Sequence, residues 1–387
     1  MSIPQGQPEK TPSTSPLSED GAIKIRDHVF HDQVKVLNNA FEPHFAFDLN
    51  NITRIVEANW AGGRDQGQMR NTQHRGDHKT LNLYFVDWIG DPTDTSLGEC
   101  NYPEELVDNP KGDGCILRTT TLPGSSDNVT YFGTLAVHEI GHFLGLRHTY
   151  QGGCTEGDFV ADTPPMADRT NGSICLSEKL QHSCGDSRPA PLENFMASSS
   201  DFCANNFTPG QFQRMRRWWK AYRASATLSP PDRKTTKGRV TNACLLYATS
   251  DEKCGEFIKN CSNTVGADET EQETIQSAQN YVDCVTNAAK DDNNALSRDS
   301  PPPEPARFDT SLQKAKCESS NGLSTKGCLR AAAFCLKSPI FKHIRKEELN
   351  DELFNRCLET IRFFMGIKKK GLSSTWSGKA IVWPEST

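Results

Sequence analysis

No apolar run in these 387 residues approaches the ~18 needed to span a bilayer, so a transmembrane helix is not expected. Basic charge is also in short supply. Forty-three Lys and Arg against 49 Asp and Glu leave a net charge of −6, and without a basic field nucleic acid is excluded as a partner. No Cys-x-x-Cys pair occurs among the fourteen cysteines, which argues against zinc knuckles and for disulfides in an oxidising compartment. Sequons at Asn51, Asn128, Asn171, Asn206 and Asn260 permit that compartment. The opening stretch, MSIPQGQPEKTPSTSPLSED, has no apolar core and cannot act as a secretory leader. The expectation is therefore an extracellular protein whose leader lies upstream of Met1.

What is present is enough for one substantial core and one or two smaller units, with 35% hydrophobic and 24% charged residues. Residues 1–26 are rich in Pro, Ser and charge and are expected to be disordered. HDQVKVLNNAFEPHFAFDL places Val34, Val36, Leu37 and Phe41 at helical spacing, then alternates Phe45, Phe47 and Leu49, which predicts a helix followed by a strand. TLNLYFVDWI reads as a strand, and the Pro-, Gly-, Asn- and Asp-rich text from Cys100 to Gly124 as loops. In FTPGQFQRMRRWWKAYR, Thr208 is an N-cap and Pro209 the first helical residue, with Phe212, Met215, Trp219 and Tyr222 on one face.

The chemistry concentrates in LAVHEIGHFLGLRHTY. His138 and His142 are four residues apart, on one helical face, with Glu139 beside the first. Gly145 can end the helix in a left-handed conformation and turn the chain back, bringing His148 toward the same point. Three imidazoles that leave a fourth position for water make a catalytic zinc site, and Glu139 stands where a general base is needed. A bare HExxH recurs by chance; the whole HExxHxxGxxH pattern is far more specific.

HEIGHFLGLRH matches the metzincin zinc-binding motif. Together with TYQGGCTEGDFVADTPPM, ENFMASSSDFCANNFTPGQFQRM, LNLYFVDWIGD and LVDNPKGDGCILRTTTLPG, it resembles the pappalysin or cytophagalysin family, in particular its secreted fungal metalloproteases. The resemblance runs from about Asp27 to Tyr222. It implies an α+β catalytic domain with a twisted mixed sheet over an active-site helix and a helical lower half. His138, His142 and His148 would bind one zinc, Glu139 would be base and then proton donor in peptide hydrolysis, and Met196 would floor the site. Peptide or protein substrates would lie along the sheet's edge strand. At Ser198 the family usually has a tyrosine that hydrogen-bonds the oxyanion, and Ala197 replaces its common aspartate, so a slow enzyme is expected. The rival reading is a weak or inactive metzincin-fold binding protein. No cysteine precedes Cys100, so these residues hold no N-terminal thiol to latch the zinc in a zymogen. Calcium at the acidic loop near Asp158 and Asp162 is left open.

Six cysteines in this half allow fifteen pairings from sequence alone. The resemblance favours Cys175 with Cys203, and with it Cys154 with Cys184 and Cys100 with Cys115. Beyond it, Cys244, Cys254, Cys261, Cys284 and Cys317, Cys328, Cys335, Cys357 repeat nearly the same spacing, C-x9-C-x6-C-x22-C against C-x10-C-x6-C-x21-C, which reads as a duplication. The expected organisation is a catalytic domain over 27–228, a linker over 229–242, a disulfide-stapled helical hairpin over 243–290, a Pro-rich spacer over 291–312, a second such module over 313–366 and a tail over 367–387. A monomer is expected, with the modules binding an unknown surface or partner.

Overall fold

Leu83, Tyr84, Phe85 and Val86 are all buried, as a strand covered on both faces requires. They form β3 (Leu83–Val86), the middle of a five-stranded sheet ordered β2-β1-β3-β5-β4. The computed structural model describes residues 9–17, 25–91, 93–123, 133–167, 184, 190–199, 204–224, 231–232, 234–265 and 275–299. β2 (Phe47–Val56), β1 (Glu9–Leu17), β3 and β5 (Cys115–Arg118) are parallel to one another, while β4 (Gly98–Cys100) is antiparallel to β5 and forms one edge.

Two parts of this sheet differ from the sequence expectation. Residues 1–26, expected to be disordered, contain β1, which pairs with β2 from Glu9↔Phe47 to Leu17↔Val56 and meets β3 at Ser13↔Leu83 and Thr14↔Tyr84. Its Thr-Pro-Ser text has no apolar alternation to detect, and the strand exists through backbone pairing with segments far along the chain. Pro12 and Pro16 bring no N–H to the ladder, and the register shifts between Thr11 and Pro12. The second difference is β5, inside the text that reads as loops. Cys115, Ile116 and Leu117 are buried, but four residues are too few to show a period.

α1 (Asp27–Phe41) is the predicted helix before β2. It lays Phe30, Leu37 and Phe41 into a core shared with Phe85, Leu117, Val137, Ile140, Phe143 and Met215. After the short α2 (Gln66–Gln73) and the sheet comes α3 (Thr134–Phe143), which carries His138 and His142. α4 (Pro209–Tyr222) begins as predicted: Thr208 and Gln211 close a capping box and Pro209 takes the first position. Met215, Trp218 and Tyr222 are its buried residues toward the core and the next helix.

α5 (Thr236–Tyr247), α6 (Asp251–Val265) and α7 (Ile275–Asp299) follow. Cys244–Cys254 ties the first two and Cys261–Cys284 the last two around Val240, Val282 and Val285. The unit is thus three helices instead of the expected hairpin, and α5 starts at Thr236, inside the stretch 229–242 expected to be a linker. The reason is that α5 has no single apolar stripe: Val240 and Cys244 face α6 and α7, while Leu245 packs on Trp218 and Tyr222 of α4. Arg217 of α4 donates to the carbonyls of Cys244 and Ala248 and pairs with Asp251, and Arg214 donates to the carbonyl of Leu246, so α4 caps the end of α5. The second module, 313–366, lies outside the described residues.

Candidate active site

The local turn after α3 decides the site. Leu146 N–H donates to Gly141 O at 2.9 Å and Gly145 N–H to His142 O at 2.9 Å, the paired bonds of a Schellman ending. Gly145 has φ +93°, and a Cβ there would fall 2.4 Å from Trp218 Cγ, so both backbone and space demand glycine. The reversal brings His148 back to α3. His142 Nε2 then lies 3.2 Å from His138 Nε2 and 3.1 Å from His148 Nε2.

The opposite edges of two rings are anchored. His138 Nδ1 hydrogen-bonds Phe195 O at 2.6 Å and His142 Nδ1 hydrogen-bonds Leu146 O at 2.9 Å. A ring whose Nδ1 donates to a carbonyl presents an unprotonated Nε2, the form that binds metal. Burial first, then the neighbouring His138 and His148, holds the His142 imidazole well below its ordinary pKa and therefore neutral. Three nitrogen lone pairs converging on one point repel unless a cation lies among them, so the donor set fits zinc.

Glu139 is 5% exposed, and burial, with Glu99 adding to it, pushes its carboxyl up to about 8. A cation at the histidines would pull it the other way. β4 passes directly over this carboxylate: a Cβ on Gly98 would lie 2.8 Å from Glu139 Oε1. Met196 is fully buried below α3, where a Cβ on Gly141 would lie 2.4 Å from its sulfur. Its position is fixed by Thr149 N–H donating to Met196 O at 3.1 Å and by Met196 N–H donating to Asn194 Oδ1 at 2.9 Å. Asn194 is in turn bonded to Gln211, which donates to Asp158.

Ser198 lies at the rim, with its Oγ donating to the phenol oxygen of Tyr150 at 3.0 Å. Tyr150 stacks on His148 with ring centroids 4.9 Å apart and planes within 9°. On another side, Tyr102 meets His142 edge-on, and Arg147 lies over the Tyr102 ring while pairing with Glu104. Sequence reasoning missed Gly98, Tyr102, Arg147 and Tyr150, each of which has a partner some forty or more residues away: Glu139, His142, Glu104 and Ser198 in turn. Bridges join Cys100 to Cys115 and Cys154 to Cys184; the Cys175 and Cys203 pairing lies outside the described residues.

The peptidase family described as pregnancy-associated plasma protein-A matches residues 66–219, which span β3, β4, β5, the histidines and most of α4. Extracellular metalloprotease 1 of Coccidioides posadasii is 34% identical over 217 residues, covering 55% of this chain and 75% of the relative. The extracellular metalloprotease of Arthroderma benhamiae is 38% identical over 204 residues, covering 50% of this chain and 72% of its own. This chain belongs to the pappalysin family. It is a zinc metalloendopeptidase with the α+β fold expected of that resemblance, and the binding-protein alternative is not favoured. Among solved structures, mature mirolysin of Tannerella forsythia in complex with a cleaved peptide is 24% identical with a TM-score of 0.47, covering 55% of this chain and 92% of that one. The pappalysin match ends at residue 219, before the three-helix unit begins at Thr236.

Proposed function

We propose that His138, His142 and His148 hold the catalytic zinc and that Glu139 is the general base of a secreted endopeptidase. The observation that carries this reading is the convergence of the three Nε2 atoms, with neighbours 3.1 and 3.2 Å apart, beside a buried carboxylate. Zinc bound there supplies the positive charge that polarises a scissile carbonyl and makes water nucleophilic near neutral pH. Glu139 takes the proton from the attacking water and passes it to the leaving amine nitrogen. Its burial keeps the proton from exchanging with bulk water between the two transfers. Met196 supports α3 from below and fixes the height of the histidines.

The substrate is a peptide or unfolded protein lying extended along β4, the outer edge of the sheet, whose Gly98 brings backbone against Glu139. Secretion is supported by the disulfides and by relatives named extracellular. We do not assign calcium to the acidic loop, because its carboxylates already have protein donors: Val160 N–H and Gln211 on Asp158, Thr208 Oγ1 and Gly210 N–H on Asp162. The protein acts as a monomer in which the three-helix unit braces α4. In the deciding experiment, Glu139→Ala retains one zinc per chain by mass spectrometry and loses at least ~100-fold in cleavage of a quenched peptide. Unchanged turnover in that variant sinks the mechanism.

A further inference from the structure

The proposed zinc site has a nucleophile activator and a cation but, so far, no donor for the carbonyl oxygen as it gains charge. Such donors act at the point where negative charge develops, and a preorganised hydroxyl suits the purpose. Tyr150 offers such a hydroxyl beside the histidines. Its ring lies parallel to the third histidine, 4.9 Å between centroids, and its side chain is half-buried, as is that of His148. Two adjacent bonds hold the segment in place, Thr149 N–H to Met196 O at 3.1 Å and Ser198 Oγ to the Tyr150 phenol oxygen at 3.0 Å. The second bond joins two hydroxyls, each able to donate and to accept, so Tyr150 can accept from Ser198 and still have its own proton to donate elsewhere. Among the neighbouring hydroxyls, Ser199 Oγ is buried, without a partner among the described residues and out of a substrate's reach.

We propose that Tyr150 is a catalytic residue whose phenol hydrogen-bonds the scissile carbonyl oxygen in the transition state, and that Ser198 is a positioning residue that fixes the direction of that phenol. The inference rests on the zinc-peptidase reading above. No proton changes hands in it; the phenol O–H remains intact and its hydrogen bond strengthens as the carbonyl oxygen becomes anionic.

The test compares the full chain with Tyr150→Phe, which keeps the stack on His148 and removes only the hydroxyl, and with Ser198→Ala. Four quantities are read: zinc per chain, melting temperature, kcat and KM on a quenched peptide, and calorimetric affinity for a phosphinic peptide, whose tetrahedral anionic oxygens imitate the transition state. Tyr150→Phe is expected to keep its zinc and melting temperature, hold KM within about twofold, and lose on the order of 100-fold in both kcat and phosphinic-peptide affinity. Ser198→Ala should lose about three- to tenfold in kcat, in the same pattern. A Tyr150→Phe variant with parental kcat and parental phosphinic affinity overturns the proposal, as does one that loses zinc or melts early, since the hydroxyl would then serve only to hold the site together through its bond to Ser198. If the parent with zinc does not cleave peptides at all, it is the zinc-peptidase reading that fails, and the binding arm still decides the tyrosine.

Discussion

Gly98 and Glu139 show how little slack the reacting centre has. A methyl group on Gly98 would come within 2.8 Å of both Cγ and Oε1 of Glu139, so one of the two segments must move. Gly98→Ala should therefore cut kcat by ~10–100-fold by displacing Glu139, the proposed base, with zinc content unchanged, as metal analysis of the purified variant would check. At Ser198 the structure changes the expectation drawn from sequence. A phenol introduced there by Ser198→Tyr enters space next to the Tyr150 hydroxyl, 3.0 Å from the present Oγ. Steady-state kinetics should show no gain in kcat, contrary to what the serine alone suggests. The three histidines and Glu139 were legible because their spacing on one helix and one glycine turn is local information. Tyr150, two residues beyond the motif, carried no signal, because its partner Ser198 is 48 residues away.

Among the elements, those with a strong period were legible and those held by distant partners were not. α1 and α4 show apolar faces, and α4 adds a cap that sequence can name. β3 is apolar throughout because both its faces are covered. β1, β5 and α5 gave no such pattern, being respectively polar, too short and shared between two packing partners. The end of α3 is the element most exposed to a single change. Gly145→Ala puts an L-residue at φ +93° and drives its Cβ to 2.4 Å from Trp218 Cγ. Strain at such a position costs ~1–3 kcal/mol before the clash is counted, and a lowered melting temperature with partial loss of zinc is the expected result. Retention of both would mean that α4 can shift without disturbing His148.

For the molecule as a whole, the three-helix unit matters more than its place after the family match suggests. Its contacts with the catalytic part include buried Leu245 on Trp218 and Tyr222, the carbonyls bonded by Arg214 and Arg217, and Lys290 paired with Glu156. A chain ending at Ser229 keeps every residue proposed to be catalytic but uncovers these groups and leaves the Arg214 guanidinium without one of its acceptors. Burial pulls Arg214 down to about 10, which marks it as a costly group to leave short of partners. Thermal denaturation of the truncated chain should show a melting temperature lower by several degrees, on the order of 2–4 °C per kcal/mol lost. Equal melting of the two forms would mean that the unit is a passenger.

The position of β1 bears on how the chain can be made and handled. Residues 9–17 leave the ribosome before either of their neighbours, yet they sit between β2 and β3 and not on an edge. The slot for them does not exist until about residue 86 has been synthesised. Until then the first segment has only β2 to pair with, its prolines discouraging stray strand pairing. Trimming an expression clone to the matched family region, or to the first helix, would thus remove an interior stave of the sheet and leave β2 facing β3 across a gap one strand wide.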